Sequence, residues 1–425
     1  MSGERRVHGC LAGQGRNRVL EIVMAEANIA WILTASALVL LMTPGLAFFY
    51  GGLVREKNVV STLMYSFVSM GVVSVVWVLW GYSLAFSGGN EILGDLELLG
   101  LKDISFESGP NGEIPDGLFV IFQMMFAIIT PALITGAFAE RFKFSTYLIF
   151  LVLWITIVYV PVAHWVWAGN GWIFGIGAAD FAGGTVVHIN AGIAAVVAAG
   201  LVGRRRNVER GVEPHNVPYV LLGAGLLWFG WFGFNAGSGL AADGLAVSAF
   251  LVTNTAAAVA GLIWVIAEYQ QTGKMSGVGF ATGAVAGLVA ITPAAGVVGV
   301  MGAMGVGAGA GVITFLAVRF RHKLKIDDAL EVFAVHGMGG IWGAIATAIF
   351  AAGGAGLVDG EVDLFWANLR ATVATIAYSG LMTFIILKAL DVVPGLGLRA
   401  EEADEDVGLD LSLHGERAYV SDGAD

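Results

Sequence analysis

The chain has 425 residues, of which 57% are hydrophobic and only 13% are charged, with a net charge of −11. An ordinary soluble domain has about 25% charged residues, so this composition indicates a protein that crosses a membrane several times. The acidic balance and the lack of a basic stripe exclude a nucleic-acid-binding protein, and the single cysteine, Cys10, excludes disulfides within one chain and cysteine-based metal sites.

Apolar runs long enough to cross a bilayer recur along the chain, since each crossing needs about 20 residues. Eleven such runs are predicted, at about residues 28–50, 59–86, 118–139, 146–167, 183–202, 218–236, 246–268, 278–293, 297–318, 331–352 and 366–388. The eighth and ninth are the weakest, because Thr292, Pro293 and a run of glycines separate them. Merging these two would leave ten spans.

The basic residues decide between ten and eleven spans. Arg and Lys occur after the first, third, fifth, seventh and ninth runs, whereas the connections after even-numbered runs contain almost none. Positive loops stay in the cytoplasm, so the N-terminus is expected outside and the C-terminus inside, with an odd number of spans. The predicted fold is therefore an all-α polytopic protein of the cell membrane with eleven transmembrane helices.

The two ends of the chain are expected to lie outside the transmembrane domain. Residues 1–23 contain four arginines and lack the apolar core of a secretory signal. Arginines before an outward N-terminus fit poorly, so we expect a non-structural extension, with translation beginning at Met24. The transmembrane domain is predicted over about residues 24–392, followed by an acidic cytoplasmic tail over about residues 393–425.

Two histidines lie inside apolar runs, and each follows an aspartate by eight residues: His188 after Asp180, and His336 after Asp328. Eight helical residues rise about 12 Å, against about 15 Å for half of the apolar slab. Both imidazoles are therefore predicted near the middle of the membrane, where they line a pathway.

The duplicated spacing also indicates an internal repeat. Five spans in one half reverse the orientation of the next half, so inverted repeats are predicted at about residues 28–203 and 218–352, with an eleventh helix at about 366–388. The sequence ITP at residues 129–131 recurs at residues 291–293. Such repeats surround a central site in many transporters.

A buried histidine is commonly a neutral core residue with a satisfied hydrogen bond, and this is our interpretation of His164. The pair His188 and His336 is interpreted differently, because polar groups at the bilayer centre are costly and face a cavity or one another. Two neutral imidazoles in contact share a hydrogen bond and can pass or reject a proton. Metal ligation is the competing use, but no third or fourth ligand is evident, so neither a metal nor a cofactor is expected.

Aromatic residues gather at the outer mouth in this topology. Trp167 ends the fourth span, Phe234 and Ser238 end the sixth, and Phe122 and Phe126 occupy the outer half of the third. Aromatic faces attract cations by about 2 kcal/mol when desolvated, and a serine hydroxyl can accept a hydrogen bond. The alternative is an aromatic belt at the interface, which by itself would explain Trp167.

Five motifs carry a resemblance to a known family. They lie at residues 44–52 (PGLAFFYGG), 136–141 (GAFAER), 180–191 (DFAGGTVVHINA), 230–238 (GWFGFNAGS) and 335–337 (VHG). The chain resembles ammonium transporters of the Amt/Mep/Rh family, in the Amt branch. The likeness runs from about residue 28 to residue 419.

The resemblance implies roles for individual residues. Trp167, Ser238 and Phe122 resemble an outer recruitment site for ammonium. Phe126 and Phe234 resemble a phenyl gate beneath it. His188 and His336 resemble the twin histidines of an apolar pore. Asp180 resembles the aspartate that supports the recruitment region by holding backbone and hydroxyl donors.

The implied activity is transport of ammonium and methylammonium rather than catalysis, by a homotrimer with one pore in each chain. Ammonium would be deprotonated and would cross as ammonia, and net charge movement is expected over neutral gas conduction. The alternatives are a sensor, a membrane enzyme or haem protein, and a Rh-like gas channel.

The tail resembles a segment to which PII-type regulatory proteins dock, and the alternative is a solvated, disordered end. Members of the family often have an aspartate where this chain has Glu331. The charge contact made from this position is therefore expected to be spaced differently.

Overall fold

The computed structural model describes residues 4–109, 112–210 and 212–419. In chain order, helices α1 to α11 are Glu4–Leu53, Glu56–Phe86, Asp116–Phe138, Phe144–Trp154 with its continuations Ile155–Tyr159 and Val160–Trp167, Gly184–Val202, Val217–Gly237, Gly244–Thr272, Gly277–Ile291, Val300–Leu324, Phe333–Phe350 and Asp363–Val392. Two short helices follow, α12 at Glu402–Val407 and α13 at Leu409–His414. Between the described residues, β pairing is limited to two isolated bridges.

Ten helices in the described part of the chain are long and apolar enough to cross a membrane, so the protein is a multi-pass membrane protein. The eighth predicted span differs, because α8 has only 15 residues. Fifteen helical residues rise about 22 Å, which is less than the roughly 30 Å of the apolar slab. Pro293, two residues beyond the helix, has no N–H to continue it, and the chain turns there instead.

The first helix begins at Glu4 and is apolar enough to span from Val23 onwards. The expected start at Met24, and the separation of residues 1–23 from the domain, stay predictions. Other helix ends are fixed locally. Asp243 caps α7 by accepting hydrogen bonds from the backbone N–H groups of Leu245 and Ala246 (2.9 and 3.1 Å), which satisfies donors that have no partner inside the helix.

The two histidines lie in matching turns of α5 and α10. Each helix begins with a π-helical segment, Gly184–Ile189 in α5 and Phe333–Met338 in α10. The aspartates lie before these helices and not within them, so the prediction of eight helical residues between Asp180 and His188 is wrong. The carboxylates end the loops and cap the helices, which shortens the helical part of each interval.

The tail is folded against the loops at one end of the bundle. The backbone N–H of Ala400 donates to the carbonyl of Arg141 (2.9 Å). Further along, the backbone N–H of Leu409 donates to the side-chain oxygen of Asn58 (2.9 Å), and Asp410 accepts from the N–H of Ser61 (2.7 Å). Residues 398–414 are therefore ordered, unlike the solvated end that was the alternative expectation.

Candidate functional site: an aromatic gate above paired histidines

Three helices bring four predicted aromatic residues into contact. Phe122 and Phe126 lie one turn apart on α3, with ring centroids separated by 4.9 Å. Phe126 lies 4.3 Å from Phe234 of α6 and 5.8 Å from Trp167 at the end of α4, again between ring centroids. Phe126 and Phe234 are fully buried, so the pair closes the space above the histidines.

Trp167 and Ser238 lie above this pair and are half-buried. The indole N–H of Trp167 donates to the backbone carbonyl of Asp180 (2.9 Å), which leaves the ring face free of that bond. The hydroxyl of Ser238 donates to the carbonyl of Phe234 (2.8 Å), so its oxygen lone pairs remain available as acceptors. Phe122 packs beside Gly237, the neighbour of Ser238.

The Asp180 carboxylate organises the start of α5. It accepts backbone N–H hydrogen bonds from Gly183 (2.8 Å), Gly184 (2.6 Å), Thr185 (2.8 Å) and Val186 (3.2 Å), and one from the Thr185 hydroxyl. Gly183 has φ +113°, a conformation that side chains rarely adopt. Through these five hydrogen bonds, the Asp180 carboxylate holds the first turn of α5 in place.

The two histidines meet at the centre of the molecule. The Nδ1 atoms of His188 and His336 are 3.2 Å apart, and their rings are 25° from parallel. Both side chains are almost completely buried, and the Nε2 of His188 has no hydrogen-bond partner among the described residues. One ring must donate and the other accept, so the pair shares a single proton along this contact.

The close approach of the two histidine helices depends on a glycine. A Cβ added at Gly192 would overlap the backbone of Gly337, the residue that follows His336. A larger residue would push α5 and α10 apart and lengthen the contact between the imidazoles. The sequence pointed to the two histidines but not to the contact between Gly192 and Gly337. That contact depends on how α5 and α10 pack against each other.

The space around the histidines is narrow and dry. A cavity of only about 10 Å³ joins His188, His336 and Phe234, and its other walls are nearly all apolar. A water molecule needs about 10–15 Å³ of such volume and several polar partners, so this segment holds little water. Below it, His336 also lines a wider cavity of about 380 Å³ that includes Tyr50, Arg205, Asp327 and Glu331.

Ion pairs hold the rim of the wider cavity. Arg205 donates two side-chain hydrogen bonds to Asp327 (both 2.9 Å). Burial alone would raise the pKa of Asp327, but the bonds and charge of Arg205 outweigh it and lower that pKa to about 2. Arg321 forms a two-pronged ion pair with Glu331; burial nevertheless raises the pKa of Glu331 to about 7. Glu331, which stands where family members often have an aspartate, therefore has Arg321 as its ion-pair partner.

One more aromatic side chain, Trp231, lies against the histidine pair and was not predicted. Trp231 stacks on His188, with ring centroids 5.4 Å apart and planes at 23°. It is held there by a hydrogen bond from its indole N–H to the Thr292 hydroxyl (2.8 Å). Its position three residues before Phe234 places both on one helix face, and this spacing was the signal by which the sequence could have indicated Trp231.

His164 lies apart from the histidine pair, with both ring nitrogens beside backbone carbonyls.

Known proteins match nearly the whole length of this chain. The model of the Ammonium Transporter Family matches residues 30–419. The chain belongs to the ammonium transporter family. Among curated relatives, it is 49% identical to an ammonium transporter of Bacillus subtilis over 93% of this chain and 99% of that protein. It is 48% identical to ammonium transporter Amt1 of Archaeoglobus fulgidus, over 93% of this chain and 100% of that protein.

Solved structures of this family share the fold. The crystal structure of Saccharomyces cerevisiae Mep2 matches with a TM-score of 0.83 and 37% identity, over 89% of this chain and 90% of that one. A structure described as a Sensor Amt Protein matches with a TM-score of 0.86 and 31% identity, over 92% of this chain and 99% of that one. Both similarities extend over nearly the full length of each chain.

Proposed function

We propose that this protein transports ammonium, and methylammonium, across the cell membrane. The observation that carries the proposal is the dry constriction at His188 and His336 beneath the Phe126–Phe234 pair, in a chain of the ammonium transporter family. A dry apolar passage rejects ions because removing an ion from water is costly. Ammonium differs from potassium in that it can release a proton and continue as neutral ammonia.

The outer site recruits the cation. Trp167 presents an aromatic ring, and the oxygen of Ser238 can accept a hydrogen bond from ammonium. Phe122 adds a second ring at the same mouth. A desolvated cation–π contact contributes up to about 2 kcal/mol, which concentrates ammonium at the entrance without binding it too tightly to leave. The Asp180 carboxylate supports this mouth by fixing the turn that begins α5.

The gate and the histidines then separate ammonia from its proton. Movement of the Phe126 and Phe234 rings admits the substrate to the dry segment, where the neutral form is favoured. The proton passes to His188 and across the shared hydrogen bond to His336, while ammonia follows along the same apolar walls. Reprotonation in the wider cavity regenerates ammonium, so one positive charge crosses for each substrate.

The helices and the two aspartates that cap them support a particular transmembrane arrangement. We infer eleven spans, with α8 and the turn after it completing the eighth, an outward N-terminus and an inward C-terminus. The matched carboxylates support two inverted repeats of five helices. Asp328 accepts hydrogen bonds from the N–H groups of Val332 and Phe333 (3.1 and 2.7 Å) at the start of α10, as Asp180 does at the start of α5. A homotrimer with one pore in each chain is proposed for the assembled state.

The folded tail supports a regulatory role at the cytoplasmic face. Arg206 forms ion pairs with Glu402 and Asp406 (2.7 and 3.0 Å), which connects the tail to the loop between α5 and α6. A PII-type protein that displaced the tail would disturb this loop and with it the rim of the wider cavity. If a purified PII-type protein binds in none of its nucleotide states, this role is contradicted.

Sensing is a second candidate function, and the similarity to the Sensor Amt Protein favours it. A sensor needs the same recruitment site but has no need to deliver its ligand. Substrate binding without flux would therefore distinguish the two. An enzyme or haem protein would instead show a bound metal or visible absorbance after purification.

The decisive experiment is the current evoked by an ammonium pulse on proteoliposomes, with potassium as the control ion. The parent protein should give a transient current with ammonium and none with potassium. His188→Ala combined with His336→Ala should lose the ammonium current or conduct potassium. If the folded parent gives no current but takes up labelled methylammonium, transport is neutral; if it also takes up none, the transport proposal is wrong.

A further inference from the structure

His164 lies in the last turn of α4, and its side chain is completely buried. Its ring nitrogen Nδ1 is 2.8 Å from the backbone carbonyl oxygen of Ala85, and its Nε2 is 2.7 Å from that of Asn90. Ala85 belongs to the last turn of α2, and Asn90 lies in the loop that follows this helix. His164 therefore joins the ends of two helices and a loop, at the outer face in the proposed topology.

The two contacts bear on the protonation state of the ring. A backbone carbonyl oxygen only accepts hydrogen bonds, whereas a neutral imidazole has one N–H donor and one nitrogen lone pair. In the neutral form expected from the sequence, a lone pair of His164 would face a carbonyl oxygen at 2.7 or 2.8 Å. Turning the ring over would place C–H groups there, and C–H···O contacts need about 3.3–3.6 Å. Only the imidazolium cation, with two N–H donors, satisfies both carbonyls.

The surroundings of the ring suit a positive charge. His164 lies in the last turn of α4, and its acceptor Ala85 lies in the last turn of α2. The carbonyl ends of two helices thus meet at the ring, and the negative end of a helix dipole stabilises a cation. A buried charge is costly when it has no partner, but here each N–H has a carbonyl oxygen to donate to.

The contact between residues 88–92 and residues 164–172, which we call the outer-loop contact, has donors on one side and carbonyls on the other. Three neutral donors take part beside His164. They are the indole N–H of Trp165 to Ile92 (2.8 Å), the backbone N–H of Trp172 to Glu91 (3.1 Å), and the side-chain amide of Asn170 to Gly88 (2.8 Å) and Asn90 (3.3 Å). His164 is the one titratable member of these four donors.

The outer-loop contact lies beside the outer site. Trp167 follows His164 by three residues, and the backbone N–H of Ala168 donates to the His164 carbonyl (3.1 Å). A Cβ added at Gly171 would overlap this same carbonyl oxygen, so the turn after Trp167 packs tightly against the end of α4. Release of the loop would leave this helix end, and the Trp167 ring on it, less firmly placed.

We propose that His164 is an imidazolium cation that holds the outer loop against the end of α4, and that loss of its proton at higher external pH releases the loop. The held state binds one more proton than the released state, so it is favoured at low pH and lost as pH rises. The holding of the loop does not depend on transport. Its effect on ammonium capture through Trp167 rests on the proposed function, in which His164 is a positioning residue.

Other titratable groups lie on the segments packed around His164. They are the carboxylates of Glu91, Asp95 and Asp180, the tyrosines Tyr82, Tyr159 and Tyr378, and His188. Within the described residues, both ring nitrogens of His164 have backbone carbonyls as their partners and not these side chains. Substitution of His164 therefore separates its titration from theirs.

Solid-state NMR of the full-length protein in lipid, with isotope-labelled histidine nitrogens, tests the protonation state directly. The spectrum of His164→Gln is subtracted from that of the parent at about pH 6, within the range where histidines titrate. We expect the difference to show two protonated ring nitrogens. One protonated and one unprotonated nitrogen would overturn the proposal.

A fluorine label on the loop reports its release. Glu91 is exposed and Cys10 is the single cysteine of the chain, so the label is attached to Glu91→Cys in a Cys10→Ser background. The parent should show one resonance at about pH 5 and a second, mobile one that grows toward about pH 8. His164→Gln should show the mobile resonance throughout. A parent spectrum that does not change with pH would overturn the proposal.

Asn170→Ala keeps the histidine and removes a neutral donor from the outer-loop contact. Its loop should be released at lower pH than that of the parent, because the held state is less stable at every pH. A transition at the same pH as in the parent would overturn the proposal. His215→Gln is the matched control, on the opposite side of the membrane in the proposed topology, and it should leave the transition unchanged. A shift in this control equal to that in Asn170→Ala would also overturn the proposal.

Uptake of labelled methylammonium into proteoliposomes, with the interior pH held constant, measures the effect on the outer site. In the parent, higher external pH should raise the half-saturating concentration about two- to fivefold, the range of a partly lost cation–π contact. His164→Gln should give the higher value at every pH. A constant value in the parent across the loop transition would overturn the positioning role. Absence of uptake in every protein would instead contradict transport, and the two spectroscopic measurements would still test His164.

Discussion

Replacing Asp180 by alanine removes the acceptor that orders the start of α5. Four backbone N–H groups and the Thr185 hydroxyl donate to this one carboxylate. Alanine leaves these donors without their partner and removes a negative charge from the positive end of a helix. The backbone carbonyl of Asp180 also accepts a hydrogen bond from the Trp167 indole N–H. A change in the position of this turn would therefore displace the Trp167 ring of the outer site.

The size of the effect follows from these contacts. Loss of a side-chain cap costs about 1–2 kcal/mol, and loss of a partly buried charge at a helix N-terminus costs up to about 2 kcal/mol. Together they destabilise the turn at residues 183–186 by about 3 kcal/mol. Because 1.4 kcal/mol corresponds to a factor of ten, we expect transport to fall about a hundredfold. Asp180→Asn should be intermediate, because it keeps one acceptor oxygen.

Uptake of labelled methylammonium into proteoliposomes measures this loss, with folding checked by thermal stability and oligomeric mass. Asp243→Ala is the matched control, because Asp243 also caps a helix by accepting two backbone N–H groups, from Leu245 and Ala246, and neither of these residues is assigned a role in the pathway. It should lower thermal stability and leave uptake near the parent level. Near-normal uptake by well-folded Asp180→Ala would refute the anchoring role.

Three further substitutions test other parts of the pathway. Trp167→Leu should raise the half-saturating ammonium concentration about 2- to 30-fold through loss of a cation–π contact; uptake equal to the parent at limiting ammonium would contradict the contact. Gly192→Ala should lower the melting temperature and transport by separating the histidine helices, whereas Gly200→Ala, with open space at its Cβ, should do neither; identical behaviour would argue against close packing. Glu331 has a folded pKa raised to about 7, so the folded state takes up a proton as pH falls from about 7 to 4.5, which adds stability toward acid. Glu331→Gln should remove that contribution, and melting curves of equal pH dependence in both proteins would contradict the raised pKa.

The apolar runs and the loop charges were enough to predict a multi-pass helical membrane protein. Bilayer thickness imposes a minimum length on each span, and this constraint acts on the sequence locally. The length of α8 was not predictable in the same way. Its end depends on the turn around Pro293, whose carbonyl accepts a hydrogen bond from the N–H of Phe181 (3.2 Å), a contact with a distant part of the chain.

For the candidate site, the sequence by itself determined the residue types and their duplicated spacing, because hydrophobic runs make each isolated histidine or aspartate conspicuous. Tertiary structure decided which of them touch. The 3.2 Å contact between His188 and His336 joins residues 148 positions apart, and Trp231 of α6 stacks on His188 of a different helix, α5. Burial and close packing act between helices, so they set the width and dryness of the pathway, which no local pattern in the chain specifies.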